Sequence, residues 1–246
     1  MPFLYLSPST QEYNEYVNGG TEEAWMNRLA DAMEPYLISS GIRFTRNTPD
    51  MTAASSIQAS NAGDYDLHLA LHSNAAGEGQ SGAQRGILAF CFPGSREGCR
   101  AARTLADGLK AIYPLPNRVR AEPTVTIGEV RRTRAPAVLL ELGFHDNPED
   151  AEWIVTHIDE MAENLALSLT EYFGIPFFPP SVPVPGVVQV DFGALPVYSR
   201  PTADSPVLAS AYSGAEVTVY GEYEGWYLLQ FGDTVGYAAA DFIRLV

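Results

Sequence analysis

A chain of 246 residues, 46% of them hydrophobic, is long enough for one large domain and a small one with real cores. Fifteen basic residues against thirty acidic ones, a formal net charge of −15, argue against nucleic acid or an anionic membrane as the partner. No apolar stretch approaches the roughly 18 residues of a membrane span, and the N-terminus has no basic segment followed by an apolar one. The expectation is a soluble chain without membrane insertion, whose first residues belong to the fold.

Phe3 to Leu6 read as a short apolar strand that stops at Ser7-Pro8-Ser9. After a polar loop, Thr21 is placed to cap a helix whose Met26, Leu29, Ala30, Met33 and Leu37 keep helical spacing, with Pro35 as a kink point and Gly41 as its end. Ile42 to Thr45 supply a second strand, followed by a polar Thr/Ser/Asn stretch. Leu67, Leu69 and Leu71 alternate with His68, Ala70 and His72, a strand that delivers His72 to its C-terminal end. Ile87 to Phe92 form a further strand closed by Pro93-Gly94. Ser95 then caps a helix carrying Ala102, Leu105, Leu109 and Ile112.

A basic segment from Arg118 to Arg134 leads to Ala137–Leu140, an unbroken apolar run of the kind covered on both faces of a parallel sheet. Glu141 ends that strand, Gly143 turns the chain behind it, and a helix follows from about Pro148 to Tyr172. Strands alternating with helices predict a doubly wound, mostly parallel α/β sheet with helices on both faces, over residues 1–174. Cys91 and Cys99 are expected to be two buried free thiols, because a bridge requires the turn between them to fold back. Residues 175–186 include five prolines and read as a stiff, extended linker outside any central sheet. From 187 to 246, short apolar runs separated by Ser213-Gly214, Glu224-Gly225 and Gly232-Asp233 predict a small all-β barrel.

Parallel strands bring the ends at Ser7, His72 and Glu141 to one edge, where α/β sheets bind ligands. Glu22, in the first turn of the first helix, points to the same edge. A carboxylate and a neutral imidazole suit zinc, and a second carboxylate beside them suits a general base for a metal-bound water. Each residue also has a structural explanation: Glu22 suits the helix dipole, worth about 0.3–1 kcal/mol, and His72 a hydrogen-bonded core position. His68 shares the face of His72, but four strand residues span roughly 13 Å, too far for one metal. His68 therefore belongs beneath the site, and His157 to packing or surface.

Leu71-His72-Ser73-Asn74-Ala75, Pro136 to Phe144 and Thr45-Arg46 resemble the zinc-dependent N-acetylmuramoyl-L-alanine amidases over about residues 3 to 174. The resemblance implies His72 as a zinc ligand, Glu141 as catalytic base, Glu22 as a second ligand with Glu23 as the one-residue alternative, and Asn74 on the substrate side. That family's first strand runs into an Asp-Pro-Gly-His-Gly-Gly loop carrying another ligand, whereas here it reads Ser7-Pro8-Ser9-Thr10-Gln11 without histidine. The Ser-Pro-Ser-x-Gln start and Phe144-His145-Asp146 are similar to a clostridial and phage-lysin branch. His145, Gln11 or water then completes the shell, and His145 equally suits a substrate-side role.

Ala194 to Pro201, with Gly214, Gly225-Trp226-Tyr227 and Gly236-Tyr237, resembles a bacterial SH3-like domain. Such domains usually bind cell-wall peptides, so Tyr198, Tyr223, Trp226 and Tyr237 are candidates for a peptide groove, with core packing the alternative for Trp226. Together the resemblances imply a monomeric, zinc-dependent peptidoglycan hydrolase acting at the cell wall, delivered by phage-type lysis or by a signal outside this sequence. The alternatives are an inactive peptidoglycan-binding protein and a zinc peptidase acting on stem peptides.

Overall fold

The computed structural model describes the chain from Met1 to Val246, which forms two compact units: residues 2–34 with 44–172, and residue 1 with 35–43 and 173–246. In the first unit, β1 (Phe3–Pro8), β2 (Arg43–Arg46), β3 (Leu67–Asn74), β4 (Ile87–Cys91), β5 (Val119–Pro123) and β6 (Ala137–Phe144) make one sheet in the order β2-β1-β3-β6-β4-β5. β1, β3 and β6 run parallel, whereas β4 runs antiparallel to β6 and parallel to β5. The central strands are buried, as their unbroken apolar sequence requires: Leu4, Leu6, Leu69, Leu71, Val138 and Leu140 are fully inside.

The helices are α1 (Glu22–Ser39), α2 (Ala53–Ala62), α3 (Arg96–Leu109), the single turn α4 (Gly128–Arg131), α5 (Pro148–Thr156) and α6 (Ile158–Phe173). Pro35 lies inside α1 without ending it. α2 falls in the stretch expected to be only polar chain; Thr52 and Ser55 start it with a reciprocal capping box. The basic segment holds β5 and α4. The long final helix is two helices, divided at His157, whose backbone N–H closes α5 on the Trp153 carbonyl.

Two expectations are corrected. Cys91 and Cys99 form a disulfide, because Pro93-Gly94 folds the chain back and Ser95 caps α3 with its hydroxyl on the Gly98 N–H, which sets Cys99 beside the end of β4. The proline-rich segment also does not stay outside the sheet: Val184 and Pro185 open β7 (Val184–Val188), which pairs with two neighbours, and Pro185 contributes its carbonyl to the Val246 N–H.

In the second unit, β7 joins β8 (Ala194–Tyr198), β9 (Val207–Tyr212), β10 (Glu216–Tyr223), β11 (Trp226–Phe231), β12 (Thr234–Ala239) and β13 (Ile243–Leu245) in an all-antiparallel sheet of SH3-like form. Val188, Val197, Ala211, Val217, Val219 and Leu229 fill it.

Candidate active site

β1, β3 and β6 end at one edge, and the register sets His72 directly beside Glu141. Beyond that pair the ladder slips: Asn74 faces Phe144, so β6 spends two residues, Leu142 and Gly143, against Ser73 alone. This is a β-bulge. Gly143 makes it with φ at +125°, a conformation that L side chains rarely adopt.

His72 is nearly buried, and carboxylates hold both of its ring nitrogens. Nδ1 lies 2.8 Å from Glu22 Oε1, and Nε2 lies 3.0 Å from Glu129 Oε2. Glu22, buried at the start of α1, also accepts from Asn14 Nδ2 at 2.5 Å and from Gln11 Nε2 at 3.3 Å. Gln11 Nε2 stands 3.2 Å from His72 Nδ1 as well. Burial opposes ionisation of Glu22, yet the bonds from His72 and Asn14 outweigh it and hold the carboxyl below its ordinary range. Burial likewise opposes a charged His72, but the two carboxylates raise it to about 10.

Glu141 is the exception among these acids. No protein group hydrogen-bonds its buried Oε2. Burial raises its carboxyl to about 7, against the pull of His72 and helped by the negative charges of Glu22 and Glu129. A carboxylate unpaired beside an acidic cluster is a base poised near neutrality.

The predicted residues separate into two groups. Gln11, Glu22, His72 and Glu141 come together at the strand ends. His145 lies apart from them in its bonding: Nδ1 pairs with the Ser73 hydroxyl and carbonyl, both at 3.0 Å, and the ring stacks on Tyr16. Glu23 accepts only from Asn27 on its own helix. Asn74 bonds the Ala75 N–H next to it and leaves its side chain at the rim. His68 lies beneath, fully buried, between Ser60 and Glu129 and stacked on Tyr5. His157 packs on Trp153. In the barrel, Tyr198 and Trp226 meet edge to face at the surface and Tyr223 is exposed, whereas Tyr237 is fully buried against Leu228 and Phe178 and offers no face to a peptide.

Glu129 is the residue that sequence reading passes over. It lies in α4, among arginines, in a segment that reads as a solvated basic loop. The apolar Ile127 and Val130 flanking it, both packed on β-strand residues, were the only sign that the turn faces inward. Beside the rim, Arg85, Arg118, Arg120, Leu88 and Phe144 line a groove of about 270 Å³, in which Arg85 is paired with Glu149 and Asp150 and Arg120 with Glu122.

Glu22 and His72 are donors of the kind zinc takes. Glu22 Oε1 and His72 Nδ1 lie 2.8 Å apart, whereas Gln11 turns its Nε2, a hydrogen donor that cannot ligate, toward both, at 3.3 and 3.2 Å, and its Oε1 accepts from Tyr13 and Asn14. The ion pairs of Glu22 and Glu129 are all to histidine, and Glu141 has none, so the cluster carries surplus negative charge. A third donor of the strong kind is missing: no three His, Cys, Asp or Glu side chains are grouped to hold a metal.

Fold and site together define an α/β domain with an acid–imidazole centre, followed in the sequence by an SH3-like module. The chain belongs to the N-acetylmuramoyl-L-alanine amidase family, whose profile matches residues 9–171, and a bacterial SH3 domain profile matches residues 193–244. Among solved structures, the N-acetylmuramoyl-L-alanine amidase from Clostridium difficile 630 is 17% identical with a TM-score of 0.62, over 70% of this chain and 97% of its own. The amidase AmiC2 of Nostoc punctiforme is 12% identical with a TM-score of 0.61, over 70% and 97% of the two chains. The catalytic domain of the CD27L endolysin targeting Clostridia difficile is 17% identical with a TM-score of 0.57, over 70% and 98%. No curated protein matches the chain.

Proposed function

We propose that this protein is a zinc-dependent peptidoglycan amidase that hydrolyses the bond between the lactyl group of N-acetylmuramic acid and L-alanine. The observation that carries the reading is Glu141, an unpaired carboxylate raised to about 7 and set in register beside His72 at the edge where Glu22 also arrives. Zinc, when bound, supplies the Lewis acid that polarises the carbonyl and acidifies water. Glu22 and His72 are the residues that would hold it, with water or the Gln11 side-chain carbonyl, once the amide is turned over, as the further donor.

Glu141 takes the proton of the attacking water and returns it to the leaving amine, a task suited to a carboxyl whose affinity for protons lies near neutrality. In the groove beside Phe144, Arg118 is the cation placed to meet a stem-peptide carboxylate as the scissile amide lies over Glu141, since Arg85 and Arg120 already hold Glu149, Asp150 and Glu122. The SH3-like module, with Tyr198 and Trp226 at its surface, supplies wall binding. The Cys91–Cys99 disulfide fits work in an oxidising space outside the cytosol, and no helix is long and apolar enough to cross a membrane.

Glu141→Gln keeps size and removes basicity. Turnover on purified peptidoglycan should fall at least about 10²-fold with zinc content retained, and unchanged turnover would remove Glu141 from the role. The absent first-loop histidine favours one other reading, a peptidoglycan-recognition module without catalysis. Metal-repleted protein that releases N-terminal L-alanine excludes it. A new D-amino end would point instead to a peptidase.

A further inference from the structure

We propose that Glu129 is a positioning residue that fixes which nitrogen of His72 faces the metal, an inference that rests on the zinc-amidase reading. Imidazole carries its two nitrogens on different sides of the ring, and a carboxylate can only accept. His72 meets a carboxylate on each side, Glu22 Oε1 at 2.8 Å from Nδ1 and Glu129 Oε2 at 3.0 Å from Nε2, so without metal both nitrogens carry hydrogen. An ion shared with Glu22 would replace the hydrogen on Nδ1 and leave Nε2–H on Glu129.

Glu129 is itself immobilised. Its Oε1 accepts from Ser7 Oγ at 2.8 Å and meets His68 Nε2 at 3.3 Å. The far nitrogen of His68 is held by Ser60 Oγ at 3.0 Å, and the Glu129 carbonyl accepts from Thr133 Oγ1 at 2.7 Å. One carboxylate therefore ties two histidines on the same face of β3 to the end of β1. Its two oxygens bridge a gap that no single metal ion spans, which gives fully buried His68 a purpose: it anchors Glu129. Carboxylates that hold a liganding histidine by its other nitrogen orient the ring and raise its basicity, and their loss typically weakens metal binding or activity by about 10- to 100-fold.

The test uses the full-length protein labelled with ¹⁵N-histidine, the His72 signals being identified by their loss in His72→Ala. In the zinc-loaded wild type, Nε2 should carry the proton and Nδ1 the metal-bound shift. The opposite assignment overturns the proposal and places the ion on the Glu129 side of the ring. In parallel, zinc affinity is measured by competition with a chromogenic chelator. Glu129→Gln should bind zinc at least tenfold more weakly, whereas affinity within threefold of wild type overturns the proposal even if the variant melts earlier, since a merely structural role moves stability alone. A variant that does not fold leaves the decision to the wild-type spectra. Wild-type protein that takes up no zinc after repletion brings down the functional reading and this inference together; zinc-binding wild type with an indifferent Glu129→Gln brings down the inference only.

Discussion

At the scale of residues, Glu141 and Gln11 carry the sharpest consequences. In metal-free protein the Glu141 carboxyl is raised from 4.5 to about 7, so the fold disfavours its charge. The penalty is absent below the unfolded value near 4.5, grows as pH rises, and is complete above 7, where it amounts to about 3 kcal/mol. Glu141→Gln should therefore match wild-type stability at pH 4 and exceed it by about that amount at pH 8, as read by urea unfolding in chelator. Equal stability at both values would mean that a polar partner satisfies the acid. Catalysis has the reverse sense: the base is lost as pH falls through its titration, and a bound cation moves that midpoint below 7. The third donor is the other matter. Sequence reading favours His145 over Gln11 or water, whereas the bonding of His145 to Ser73 sets it apart from the Glu22–His72 pair that Gln11 touches. Gln11→Ala should weaken zinc binding about tenfold, with His145→Ala weaker in effect. The opposite order in chelator competition would return the ligand role to His145.

At the scale of elements, the strands that build the site were legible because their periodicity is strong: Ala137–Leu140 has no polar interruption, and His68, Ala70 and His72 alternate with leucines. α2 was not, since Ala-Ala-Ser-Ser-Ile-Gln-Ala-Ser-Asn-Ala offers almost no apolar stripe and only the Thr52–Ser55 cap marks its start. The α4 turn was hidden for a different reason: one inward acid among arginines leaves no periodic trace, and what buries Glu129 is the pair of histidines on β3, far away in sequence. The disulfide was misjudged because spacing alone does not reveal a fold-back turn. Its loop is short, so removing it with Cys91→Ala/Cys99→Ala should cost about 2–3 kcal/mol by loop-closure entropy. That lowers the unfolding midpoint by several degrees in calorimetry, and an unchanged midpoint would make the bridge ornamental. Gly143 is the element-level weak point. A Cβ there would stand 3.2 Å from Ile154 Cδ1 on backbone at φ +125°. Gly143→Ala should lose about 1–3 kcal/mol and, by undoing the bulge next to Glu141, turnover as well.

At the scale of the whole molecule, the linker does more than its proline content suggests. Residues 173–246 form one compact unit together with residue 1 and residues 35–43, which hold the last turns of α1. Within it the Phe178 carbonyl accepts from Ser39 Oγ at 2.6 Å and Ser40 Oγ at 3.2 Å, and the Phe178 N–H donates to Ser40 Oγ at 3.0 Å. The Phe178 ring is buried against Leu228 and Tyr237. A chain ended after residue 176 keeps every site residue yet leaves both serines without these partners, whereas one ended after residue 180 keeps the bonds and exposes the ring. Stability should therefore rank full length first, the 180-residue chain second and the 176-residue chain last. Soluble muropeptide turnover should survive wherever the fold does, and activity on intact walls should be lost in both short chains. Phe178→Ala in the full-length protein isolates the ring: emptying a buried phenylalanine site costs about 3–5 kcal/mol, read as an earlier melt of the unit that contains it. An unchanged melt with unchanged wall activity would show that residues 175–183 serve as a simple tether, and the ranking of the two shortened chains would then collapse as well.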